Sequence, residues 1–124
     1  MTKPSSLSVA DTVTRFLELL GSKSIKVFTV IDQQAEARAV GLDLRETRLV
    51  VFGNPAAGTG VMEATPLAAL DLPLKILVWA DSDRGTLVSY TDPAALAARY
   101  ALSPDSEAAL GAIHGLTDAL VAAD

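Results

Sequence analysis

Residues 74–92 read LKILVWADSDRGTLVSYTD, two apolar, β-branched-rich runs on either side of a short polar segment. The four-residue turn SDRG puts Gly85 where a hairpin needs positive φ, so the stretch reads as strand, turn, strand. Strands joined this way are antiparallel, and the sheet cannot be purely parallel. The expected class is α+β: two layers, a mainly antiparallel sheet with helices packed on one face.

Upstream, TRLVVFGN (residues 47–54) carries an apolar run, Leu49 to Phe52, too hydrophobic for an exposed edge, and is expected inside the sheet. IKVFTVID (25–32) is a further strand, with Ile25, Val27, Thr29 and Ile31 expected on one face and Lys26, Phe28 and Val30 on the other. Within residues 6–24, Leu7, Val9, Val13, Phe16, Leu17 and Leu20 recur near helical spacing, and an amphipathic helix is expected with Ser8 as N-cap and Gly21 as terminator. Asp32 caps a short helix ended by Gly41, and Pro66 suits the first turn of a short helix within VMEATPLAALDLP (61–73). Asp92-Pro93 opens another helix. Ser103-Pro104 opens a last one to residue 124, with Leu110, Ile113, Leu116, Leu120 and Val121 facing the sheet.

The 124 residues suit one domain without an internal repeat or linker. A net charge of −5 with scattered basic residues argues against nucleic acid. The absence of cysteine removes disulfides, thiolate nucleophiles and cysteine-ligated metal. No stretch has the apolar length of a signal peptide core or membrane span, so a cytoplasmic protein without membrane partners is expected. Apolar residues on both faces of several strands imply that a second subunit covers the open face, which makes a homodimer the expected assembly.

VVFGNPAAGTG (50–60) looks like a strand entering a phosphate loop. Gly53 and Gly58 match the spacing G-x-x-x-x-G-K-[ST], but Thr59 and Gly60 stand in place of the lysine and hydroxyl residue. The dinucleotide pattern fails too, with Glu63 at its third glycine. Two readings remain: a structural loop whose glycines adopt positive φ and whose Asn54 bonds the backbone, or a loop whose free amides and Thr59 hydroxyl line a pocket at a strand end.

His114 is the lone histidine and reads as an ordinary helix residue, so no metal or cofactor is expected. Asp71, Asp81, Asp83 and Asp92 each have a sufficient loop, turn or cap role, and Glu63 reads as a solvated helix-start carboxylate with a general base as the alternative. Trp79 and Tyr90 are expected to share a sheet face, Tyr90 lending its hydroxyl to the pocket.

The segments FGNPAAGT, DLPLKILVW and SYTDP, in that order, together with IDQQAEARAVGLDL, resemble the DUF302 domain family over about residues 9–102. The resemblance implies a small dimeric α+β domain with one helical layer and no established activity. It marks Gly53, Asn54, Pro55, Gly58, Thr59, Asp71, Pro73, Lys75, Tyr90 and Asp92 as family-like positions. Gln33, Glu46 and Gly60 depart from it, standing where the family often has histidine, proline and proline. An amide at 33 neither titrates nor binds metal well. The expected function is a dimeric module binding a small polar or anionic molecule through Gly53, Asn54, Gly58, Thr59, Met62, Glu63, Lys75 and Tyr90, with no catalytic residue assigned. The alternatives are an enzyme using Glu63 or Asp71 as a base near Lys75, and a structural or protein-interaction module.

Overall fold

The structure, a computed structural model, describes residues 1–122. Its hairpin is the one read from residues 74–92: β4 (Leu74–Asp81) pairs antiparallel with β5 (Gly85–Ser89), and Asp81 faces Gly85. The loop is one residue shorter than expected, residues 82–84. Gly85 takes φ +74 as a member of the strand. Asp81 Oδ2 accepts the amides of Arg84 and Asp83 at 2.9 and 3.1 Å, which closes the turn. Those donors, Arg84 first, hold the Asp81 carboxyl below its usual range against the opposing pull of burial.

β3 (Thr47–Gly53) lies between β4 and β2 (Lys26–Asp32), inside the sheet as expected. β2 is an edge, and a bulge at Phe28 breaks its alternation. Val27 therefore faces Phe52 while Thr29 faces Val51, so the two do not share the face expected of them. At the other edge lies a strand missing from the sequence reading, β1 (Thr2–Ser5), paired with β5. The five-stranded sheet is wholly antiparallel, in the order β1-β5-β4-β3-β2.

Helix α1 (Val9–Ser22) starts at Ser8, whose side chain accepts from the Asp11 amide, and runs one residue past Gly21. Its apolar stripe buries Val9, Val13, Phe16 and Leu20 against the sheet. Phe16 meets Phe52 edge to face at 5.0 Å. The final helix is two, α5 (Pro104–Leu110) and α6 (Ala112–Val121), broken at Gly111. Residues 123–124 of the expected helix lie outside the described residues. α6 joins α1 on the sheet through Ile113, Leu116 and Leu120, covering Val50, Phe52, Ile76, Val78 and Val88. α2 (Gln33–Ala39), capped by Asp32 and followed by Gly41 at φ +78, buries no residue.

The expected turn after β3 is instead a helix, α3 (Pro55–Ala64), with Asn54 as N-cap and Pro55 in its first turn. A 3-10 helix (Pro66–Asp71) links it to β4. Gly53, Gly58 and Gly60 do not take positive φ, contrary to the loop reading. α4 (Pro93–Tyr100), capped by Asp92, completes a second cluster in which Val61, Ala68, Leu96 and Leu110 are buried.

Candidate functional site

β3 delivers the chain to Gly53 at the rim of the sheet, and α3 turns away from it, leaving a gap between the two buried clusters. The gap is a cleft of about 300 Å³. Ile25, Phe28, Phe52 and Gly53 form the sheet side, and Asn54, Pro55, Ala57, Gly58, Thr59 and Met62 form the α3 side. Leu72 to Leu74, with Ala109, Leu110, Ala112 and Leu116 of α5 and α6, complete the lining.

Five of the eight expected site residues, Gly53, Asn54, Gly58, Thr59 and Met62, meet on this cleft. The other three do not. Glu63 is exposed on α3 outside the lining. Lys75 opposes Val51 on the sheet face away from Phe52, and its Nζ donates to the Asp71 carbonyl at 3.3 Å. Tyr90 is only 6% exposed, packed in the main core on the face of Val88. Trp79 faces Leu87 on the opposite side of the sheet, so the expected shared face of Trp79 and Tyr90 is not formed.

The chemistry of the cleft also departs from expectation. Few amides are free at the start of α3: Ala56 donates to Asn54 Oδ1 at 3.0 Å, Gly58 donates to the Asn54 carbonyl at 2.9 Å, and Pro55 has none. The Thr59 hydroxyl donates to the Pro55 carbonyl at 2.6 Å. What faces the space is mainly hydrocarbon, and no lining side chain is ionisable.

Tyr90 instead donates to or accepts from His114, its hydroxyl 2.7 Å from Nδ1. The other ring nitrogen lies 3.7 Å from Asp92 Oδ1. His114, Asp92 and Glu107 border a separate recess of about 390 Å³ beside α4 and α5. Composition offered no signal for this pairing, since the two residues lie 24 positions apart on different elements. A second polar cluster joins the 3-10 helix to α4: Tyr100 donates to Asp71 Oδ2, which Arg99 also reaches at 3.0 Å. The Tyr100 hydrogen bond, helped by Arg99, holds the Asp71 carboxyl below its usual range although burial pulls the other way. An occupied, ionised carboxylate is a poor base. Among the described residues no cluster of three His, Cys, Asp or Glu is placed to hold a metal ion.

Three Brucella proteins resemble the chain, each 38% identical over 113 residues, or 91% of it. Those of Brucella suis and Brucella abortus are named fluoride-specific ion channel FluC 1, and that of Brucella melitensis fluoride-specific ion channel FluC 2. The chain spans less than half of their length, 44% of the first and 42% of the others. The crystal structure of an uncharacterized conserved DUF302 protein from Bacillus stearothermophilus has the same fold, with a TM-score of 0.82 over 98% of this chain and 94% of that one at 20% identity. The family described as domain of unknown function DUF302 matches residues 1–120, and the chain belongs to it.

Proposed function

We propose that the chain is a small-molecule binding module whose site is the cleft between β3, α3 and the α5–α6 bend, and that it works as a homodimer. The observation that carries the first part is the gap itself. A concave opening of about 300 Å³ between two buried clusters, bordered by the small residues Gly53, Ala57, Gly58, Ala109 and Ala112 and walled mainly by hydrocarbon, is the kind of recess in which small molecules are held. Thermal melting with a panel of small metabolites tests it. A rise in midpoint with at least one compound supports the site, and unchanged melting across the panel removes it.

The dimer rests on the other sheet face. Residues directly opposed in register share a face, so Ile31, Leu49 and Leu77 form one row there and Trp79, Leu87 and Pro4 the next. Ile31, Leu49, Leu77 and Trp79 are only partly buried. Leu87 is already buried and the same rows carry Thr47, Ser89 and Thr2, so it is the partly covered apolar side chains Ile31, Leu49, Leu77 and Trp79 that a second copy would cover.

The Brucella proteins bear on context and not on this chemistry. Conducting an ion through a bilayer by helices takes spans of about 20 apolar residues. No helix among the described residues is long and apolar enough to cross a membrane. We read the matching portion of those proteins as an appended module beside their pore, and fluoride conduction is not carried over to this chain. Neither Glu63 nor Lys75 faces the cleft, and Asp71 is held by Tyr100 and Arg99, which disfavours the carboxylate-base enzyme.

A further inference from the structure

We infer, building on the reading of this cleft as a ligand site, that its ligand is a neutral, predominantly apolar molecule and not an anion. The lining contains no Asp, Glu, Lys, Arg or His, so a charge entering it would lose water without gaining a counter-ion. Its polar side chains are neutral and partly engaged: Asn54 Oδ1 caps the Ala56 amide and the Thr59 hydroxyl donates to the Pro55 carbonyl, which leaves the Asn54 side-chain nitrogen to meet a hydroxyl or carbonyl of a neutral ligand. Lys26 rests on the Phe28 ring, 5.0 Å from its centroid, outside the lining. The walls that remain, Phe28, Phe52, Met62 and Leu116 among them, offer dispersion contact and hydrophobic transfer.

Size narrows the class further. The cleft of about 300 Å³ has twice the volume of an apolar cavity of about 150 Å³ that admits benzene, which corresponds to a ligand of about nine to fifteen heavy atoms, such as two fused rings or a medium-length alkyl chain. Phe28 is 43% exposed at the mouth, an entry that needs no opening of the core. At Gly58 an added Cβ would meet only the end of the Met62 side chain, at 4.0 Å, so the helix stays open to the cleft by virtue of having no side chain there.

The test is a backbone amide NMR titration of the whole chain with matched sets: indole, indole-3-acetate and tryptamine, then 1-octanol, octanoate and octylamine. The expected result is movement of the Gly53, Gly58 and Thr59 resonances, with the neutral member of at least one set binding tenfold or more tighter than its charged relatives. Gly58→Leu, which fills the space, should retain the fold by thermal melting and lose the movements at Gly53 and Thr59. A charged member binding as tightly as its neutral relative overturns the ligand class while leaving the cleft a ligand site. Silence of the cleft resonances with all six compounds overturns both, and movements that persist in Gly58→Leu overturn the location.

Discussion

The Tyr90 hydroxyl and Nδ1 of His114, 2.7 Å apart, join the end of the hairpin to α6, and their rings meet edge-on at 5.6 Å. Lys3 packs over the same tyrosine, 5.1 Å from the ring centre, and reaches Asp118 and Thr117 of α6 at 2.7 and 2.6 Å. The strand β1 is thus fastened to the helix layer through one buried ring.

Tyr90→Phe keeps that ring and removes one hydrogen bond to a histidine whose side chain is 40% exposed, where water can take over. The expected loss in urea unfolding at neutral pH is about 1 kcal/mol. Tyr90→Ala, which opens a void in the main core, should cost about 3–5 kcal/mol. Equal losses from the two variants would contradict the division between ring and hydroxyl.

The same change at two glycines should have opposite signs. Gly60 sits inside α3 with nothing within 4 Å of an added Cβ, so Gly60→Ala should stabilise by about 0.5–1 kcal/mol through helix propensity and a less flexible unfolded chain. Gly85 also has open space, but its φ of +74 penalises any side chain, and Gly85→Ala should destabilise by about 1–2 kcal/mol. Midpoints in urea compare them directly.

That contrast also marks where the chain was readable. Gly85 lies in a hairpin whose signal is local, and the same holds for the caps at Ser8, Asp32, Asp92 and Ser103, each of which bonds an amide two or three residues on. Around Gly58 and Gly60 the glycines suggested a loop, yet Asn54 and Pro55 are a helix start, and burial of Val61 with Ala68 and Leu110 supplies the stability that propensity lacks. β1 is polar, four residues long and contains Pro4, so only its pairing with β5 defines it. Parity in the hairpin turned on one residue: the expected four-residue turn would set Trp79 opposite Val88 and on the face of Tyr90, whereas the three-residue loop sets it opposite Leu87 and on the other face. A recess at the end of β3 was one of two readings that the glycine pattern left open, beside a purely structural loop. Its apolar character was not legible, because Ile25, Leu72, Ala109 and Leu116 come from segments far apart in the chain.

Asp71 should govern part of the acid sensitivity. Its carboxyl titrates below the ordinary value of 3.8 in the folded chain, chiefly because Tyr100 donates to it. A depressed folded pKa adds stability that is present above the unfolded value and lost as pH falls through the folded one. Melting followed between about pH 5 and pH 2 should show the Asp71→Asn variant less stable than the parent at the upper end and converging with it at the lower. A constant gap across that range would mean that the carboxylate's charge contributes nothing.

Trp79 is the only tryptophan in the chain and stands on the sheet face proposed to meet a second copy, flanked in register by Thr47 and Leu87, with its Nε1 donating to Ser89 Oγ at 3.0 Å. A carboxylate at this point of an apolar contact would be buried without a partner, which two-fold symmetry would repeat on the other copy. Trp79→Glu should therefore shift the light-scattering mass at micromolar concentration from twice 12.9 kDa to 12.9 kDa, with far-UV circular dichroism retained because the helix-side core is untouched. Dilution of the parent should move its tryptophan emission to the red as the face becomes wet. An interface of apolar side chains also predicts that association resists added salt, since there is little charge to screen. A parent protein that scatters as a single copy would refute the dimer while leaving the cleft, which lies on the helix side of the sheet, unaffected.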